Sequence, residues 1–209
     1  MSASINLPLI LAAALVAAGS PGPATLAIAN ASMAHGRRAG LALASGVTTG
    51  SLCWSVVAAF GLGAVMLAHA WLFEAARYLG AGYLIFLACK SARQALRPHQ
   101  DAVPGTLDAP TGSRAFRRGL ALHLTNPKAI LFFGSLYSIG VPKGASAGDL
   151  LWIILAVGVQ GAVIFHGYAL LFSNRHMVNC YLRLRRLFEA VFAAAFAAAG
   201  VKILTSRIS

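Results

Sequence analysis

Charge is what this chain has least of. Only 11% of its 209 residues are charged, against 58% hydrophobic, and five Asp+Glu stand against 17 Lys+Arg. A water-soluble domain carries about 25% charged residues, so the polar surface here is too small to cover a fold in water. That excludes an ordinary soluble enzyme, and the apolar excess excludes a disordered chain. Cysteine is also scarce. Cys53, Cys89 and Cys180 form no CxxC and no Cys/His metal spacing, which excludes a disulfide scaffold and leaves no metal site to name. Cys53 and Cys89 sit inside apolar runs and read as small residues packed among helices. HExxH does not occur, and no cofactor-binding motif is present. What remains is a single-domain polytopic membrane protein.

The bases that are present lie in short clusters between long apolar runs. With a net charge of +12, a soluble protein would suggest nucleic acid. This chain has no base-reading motif and no aromatic-basic interleaving, so nucleic acid is not an expected partner. Clustered bases beside apolar spans instead suit loops facing an anionic bilayer.

A membrane span needs about 20 apolar residues. Six stretches qualify: Ile5–Ala34, Leu41–Ala68, Trp71–Ser91, Phe116–Ile139, Leu150–Phe172 and Leu187–Thr205. None alternates with a period of two, which favours helices over a barrel. The N-terminal stretch has no Lys or Arg ahead of it and continues past a Pro-Gly-Pro, so it reads as a retained span rather than a signal peptide. Twelve bases fall after the first span, between the third and fourth, and between the fifth and sixth; four fall on the other side, and Lys128 lies within a span. This bias places both termini outside and the three basic loops in the cytoplasm. The Pro- and Gly-bearing segment 92–113 links two halves, roughly 1–91 and 114–209. Three spans per half make the second half enter from the opposite side. The expected fold is therefore an all-α integral membrane protein, with six transmembrane helices as a 3+3 inverted repeat.

Two interruptions carry the functional reading. The first span contains SPGPATLAIAN, and the fourth contains TNPKAILFFGS. Each is a small polar residue and a proline followed by an apolar run. From Pro23 to His35 is about 18 Å of helix, and from Arg118 to Pro127 about 13 Å. In a core about 30 Å thick, both breaks fall near the midplane, so helices 1 and 4 are expected to be broken. Proline removes a donor and clashes with the preceding turn. The freed backbone groups must then face protein, water or ligand. Two helix N-termini converging there suit a carboxylate. Lys128 adds an ammonium at a depth where charge is costly.

The candidate substrate-binding residues are accordingly Pro21, Gly22, Pro23, Thr25, Asn30, Asn126, Pro127 and Lys128. Thr48, Thr49, Gln160 and His166 read as helix-helix hydrogen-bonding groups. His69 and His123 are placed near the interfaces. Glu74 and Arg77 are spaced to pair at the outer edge of span 3. Glu189 reads either as an interfacial partner of Arg185 and Arg186 or as a proton-coupling carboxyl. Gly46, Gly50, Gly80, Gly82 and the alanines of AAAFAAAG allow close helix contact. That contact lies within one chain or between the two copies of a homodimer.

These residues resemble the lysine-exporter superfamily, specifically LysE/RhtB-type amino-acid exporters. SPGPATLAIANASMAHGRRAGLALASGVTTG is similar to the family's first-span signature, FEAARYLGAGYLIFLACKSAR to its third span, and FRRGLALHLTNPKAILFF to its Asn-Pro-Lys-Ala signature. LRRLFEAVFAAAFAAAGVKIL is similar to its last span. The resemblance implies no enzymatic activity. It implies gradient-driven export of amino acids or related small carboxylates across a bacterial inner membrane, with Pro21, Gly22, Pro23, Asn126, Pro127 and Lys128 at the site. Three departures stand out. Ala24 occupies a position where relatives carry Asp or Asn, SLYSIGVPKG replaces a Pro-Gln-Phe, and Glu189 replaces a common glycine.

The expected mechanism is alternating access by a proton-coupled antiporter, favouring neutral amino acids because intramembrane carboxylates are scarce. The alternatives are a metal or inorganic ion exporter, which would need clustered Asp, Glu, His or Cys, and a non-transporting assembly subunit.

Overall fold

The computed structural model describes residues 5, 7–20, 22–68, 70–96, 112–141 and 145–205. Helix is the only regular secondary structure among them. Prolines and glycines set where the helices start and turn. α1 (Leu7–Gly19) stops before the Pro-Gly-Pro, and α2 (Pro23–Ala68) begins at its last proline. α3 spans Ala70–Leu96. α4 (Gly112–Leu124) stops before Asn126-Pro127, and α5 (Pro127–Gly140) begins at that proline. α6 (Ala147–Leu171) and α7 (Arg175–Thr205) complete the chain. Pro23 and Pro127 both occupy the first helical position, where a missing N–H costs nothing.

α2 is two helices joined at Gly36, whose φ of 79° lies in the left-handed region. Only glycine enters that region without strain. The second arm folds back on the first there. A Cβ on Gly40 would collide with Ser32 Oγ, although eight residues of continuous helix would hold the two about 12 Å apart. The basic HGRR loop expected after the first span is this turn.

Two boundaries differ from the hydropathy reading. The linker expected from Ala92 starts later, because α3 continues to Leu96. The last helix starts at Arg175 rather than Leu187. Hydropathy marks the apolar part of a helix. The Arg/Leu-rich segment ahead of it has good helical propensity, and its Arg183 and Arg186 are exposed.

The core consists of three clusters. One joins α1, α2, α5 and α6 around Ile10, Phe133, Ile153 and Val157. A second joins both arms of α2 to α4 and α6 around Ile28, Val47 and Phe165. A third joins α3 to α7 through Ala81, Leu87 and Phe196. The α2–α4 crossing brings backbone against backbone. A Cβ on Gly46 would strike Phe116 O, and one on Gly119 would strike Leu43 O. The small residues of span 2 therefore serve packing within the chain.

The outside is apolar as well. Ala147–Leu171 is long and apolar enough to cross a membrane by length and composition, and Pro23–Gly61 is apolar enough as well but is divided by the turn at Gly36. On α6 one face is buried through Ile153, Val157, Gly161 and Phe165. The other bares Trp152 at 73% and Val163 at 68%. A helix apolar on both faces, with one open, suits lipid rather than water. The same fact corrects the cysteines: Cys53, Cys89 and Cys180 are exposed. Membership of an apolar run does not say which face a residue occupies when both faces are apolar.

Candidate functional site

The two interruptions meet. The second is satisfied largely by its own residues. Asn126 is extended (φ −78°, ψ 112°), as the residue before a proline should be, and its Oδ1 accepts from Lys128 N at 3.0 Å. Asn126 O accepts from Ala129 N and Ile130 N. Thr125 Oγ1 donates back to Ala121 O at 2.9 Å.

The first interruption is satisfied from elsewhere in the fold. Gly22 N donates to Thr25 Oγ1 at 2.8 Å, a local cap. Two freed carbonyls are reached by distant side chains. Tyr168 Oη, on α6, donates to Gly19 O at 2.6 Å. Lys128 Nζ, at the second interruption, donates to Ser20 O at 3.2 Å and to Ser20 Oγ. Ser20 Oγ in turn donates to Ala17 O. A buried backbone carbonyl needs such a partner, so the lysine of one break completes the backbone of the other. The ammonium also lies 5.8 Å from the centre of the Phe196 ring, within cation–π range. Gly22 gives it room, since a Cβ there would sit 3.3 Å from Nζ.

Around this junction is a cavity of about 50 Å³, enough for a few waters. Ser20, Thr25, Ser51, Asn126 and Lys128 supply polar groups to its lining, and Phe132, Phe133, Val157 and Phe165 apolar ones. His123 also lines it.

The expected site residues divide as follows. Gly22, Thr25, Asn126 and Lys128 are brought together on the cavity wall. Pro23 and Pro127 start the helices that frame it and are themselves exposed. Asn30 is exposed on α2 and lies away from the cavity lining. Pro21 lies outside the described residues. Glu189 is fully buried, at 0% exposure, which corrects the interfacial placement beside Arg185 and Arg186. It lies in the neighbourhood of Lys128 and Tyr168.

His123 corrects another expectation. It is buried at 5% rather than interfacial. The signal for it was readable: Ala115, Gly119 and His123 recur at four-residue spacing on one face of α4, opposite Arg114, Arg117 and Arg118. Tyr168 had no comparable signal, because a tyrosine in an apolar span shows neither its face nor its partner.

Gln160 and His166 do bond between helices, Gln160 Nε2 to Leu11 O and His166 to Ser45 Oγ, both at 3.0 Å. Thr48 and Thr49 instead donate to carbonyls of their own helix. His69 and the side chains of Glu74 and Arg77 lie outside the described residues.

Residues 15–207 match the family model described as LysE type translocator. The chain belongs to this family. Two bacterial relatives match it over nearly their whole length, and a third over about three quarters of it. This LysE-type translocator is 30% identical to a threonine efflux protein of Salmonella typhi, covering 92% of this chain and 94% of that one. It is 29% identical to the threonine efflux protein of Escherichia coli K12 over the same shares. It is 32% identical to a leucine efflux protein of Enterobacter sp. 638, over 79% of this chain and 77% of the relative. No solved structure matches it. The LysE-type chain is a membrane translocator and not an enzyme.

Proposed function

We propose that this LysE-type translocator exports small neutral amino acids from the bacterial cytoplasm by alternating access, with the junction of the two interruptions as its substrate site. The observation that carries the reading is the reach of Lys128 from the second interruption to Ser20 in the first. An ammonium has three N–H donors. Two are committed to Ser20, and a substrate carboxylate is a stronger acceptor than either oxygen there. Its arrival draws Lys128 off Ser20 and loosens the tie between the two halves. Relatives named for threonine and leucine efflux support an amino-acid substrate. The cavity lining, which combines phenylalanines with short polar groups, suits a neutral side chain.

In this reading α1 with the first arm of α2, the second arm, and α3 form one half; α4 with α5, α6, and α7 form the other. α1, α4 and α5 each have 13 or 14 residues, about 20 Å of helix. Each is too short to cross alone, so α1 with the first arm of α2, and α4 with α5, make the two broken crossings of a six-span inverted repeat. The cavity admits a few waters, so binding an amino acid requires its walls to part, the movement that alternating access supplies. Glu189 is the carboxyl assigned to the coupling proton.

The test is uptake of labelled threonine and leucine into inverted membrane vesicles. Lys128→Ala should lower it tenfold or more, on the order of the loss when a buried charged hydrogen-bond partner is removed. Pro23→Ala, which removes the proline that fixes the start of α2, should lower it too. Wild-type rates in both variants would refute the site.

A further inference from the structure

An amino-acid zwitterion brings two charges into the cavity, and Lys128 answers only one. Among the described residues, no Asp or Glu lines the wall. The α-ammonium must therefore find a neutral acceptor. Beside Ser51, which adds a hydroxyl to the lining, three polar wall residues are already engaged. Ser20 Oγ donates to Ala17 O and accepts from Lys128. Thr25 Oγ1 is tied to Gly22, and Asn126 Oδ1 accepts from Lys128 N.

His123 differs. Its ring is buried, yet neither Nδ1 nor Nε2 has a hydrogen-bond partner. Buried polar groups are nearly always paired, and an unpaired one calls for an explanation. Among the described residues, Ser32, Trp54 and Gln160 also hold an unpaired buried atom, but none of them lines the cavity, whereas His123 does. The ring is also held in place. Phe165 meets it edge to face at 5.9 Å. A Cβ on Gly50 would lie 3.0 Å from its Cβ, so α2 closes on it as far as a glycine allows. An imidazole so wedged keeps its direction and has both nitrogens to spend.

We infer that His123 is the subsite for the α-ammonium of the transported amino acid, opposite Lys128, which takes the carboxylate. A neutral imidazole offers one acceptor nitrogen and one N–H. The acceptor receives an N–H of the substrate ammonium, and the ring N–H is left for a carboxylate oxygen or a water. Two fixed points of opposite demand select α-amino acids over simple carboxylic acids. With imidazole rather than carboxylate as the acceptor, the cavity gives a second positive charge on the substrate no counter-charge, so lysine-like substrates are disfavoured. This rests on the proposed function and deepens it.

The experiment compares each amino acid with the analogue in which hydroxyl replaces the ammonium. Inverted vesicles carrying the full chain take up labelled threonine or leucine, with the unlabelled amino acid or its 2-hydroxy acid as competitor. In the wild type the amino acid should compete at least about tenfold better, since a site built to bond a group discriminates against its loss. In His123→Phe the preference should fall to about threefold or less, and in His123→Asn, which keeps an acceptor, most of it should remain. His123→Met serves where the Phe variant does not fold. Thermal stabilisation of the purified protein by the same pairs of ligands gives the comparison without turnover. A merely structural role would weaken both ligands alike and leave their ratio unchanged. An unchanged ratio in a folded variant, with wild-type transport intact, overturns the His123 assignment alone. A wild type that transports neither amino acid overturns the proposed function and this inference with it.

Discussion

Lys128 is the residue on which the molecule turns. Insertion scales put an ammonium at the centre of a membrane helix at about 2.5–3.5 kcal/mol, and this one is offset by Ser20 O, Ser20 Oγ and the Phe196 ring. Tyr168 has the matching role at Gly19 O, so both freed carbonyls of the first interruption depend on side chains more than a hundred positions away. Glu189 completes the group from α7. If it carries the coupling proton, Glu189→Gln keeps the shape and removes the titrating site. Export driven by a pH gradient should then fall tenfold or more, on the order expected for losing a proton-transferring group. Exchange of labelled for unlabelled amino acid at equal pH should continue. Gradient-driven export at wild-type rates in that variant would remove Glu189 from the mechanism.

At the level of elements, the α2–α4 crossing is the most demanding contact. Gly46 meets Phe116 O, and Gly119 meets Leu43 O, so each helix presents a glycine to the other's backbone. Gly119→Ala pushes a methyl into a carbonyl that cannot rotate away. A cost of about 1–3 kcal/mol is expected for such overpacking, lowering the melting temperature of the purified protein by several degrees. Gly61 provides the contrast, with nothing within 4 Å of its Cβ position. Gly61→Ala should be neutral or stabilising by about 0.5–1 kcal/mol, since a helix interior prefers alanine. Equal behaviour of the two variants in thermal unfolding would show that the crossing is looser than its geometry. The crossing also places the site, because Gly50 and His123 lie one turn further along the helices that Gly46 and Gly119 bring together.

For the molecule as a whole, the clustered bases predict how the chain sits in a bilayer. The turn at Gly36, the start of α4 and the start of α7 should face the cytoplasm, and the start of α6 the outside. Gly112 and Gly148 are both exposed and serve as the two reporter positions. In a background with Cys53, Cys89 and Cys180 replaced by serine, a membrane-impermeant maleimide should label Gly148→Cys in intact cells. It should label Gly112→Cys only in inverted vesicles. The reverse pattern would invert the assigned topology and make the same transporter face the other way.

Much of this protein was legible in its sequence because the bilayer is a demanding solvent. Six apolar stretches became the helices, with Pro23 and Pro127 starting two of them, since an apolar run in lipid has few alternatives to helix and proline has few places within one. That Lys128 needs a partner was legible for the same reason, since a charge within an apolar run must be paired. The sequence could not show which face of each helix turns inward when both faces are apolar. That left Cys53 on the outside, Asn30 away from the cavity, and Glu189 and His123 deep in the interior. Nor could it reveal that Tyr168 caps Gly19 or that Lys128 finds Ser20. Those pairings follow from how the helices stack, and stacking depends on the summed fit of small residues such as Gly46 and Gly119, which no single stretch of sequence contains.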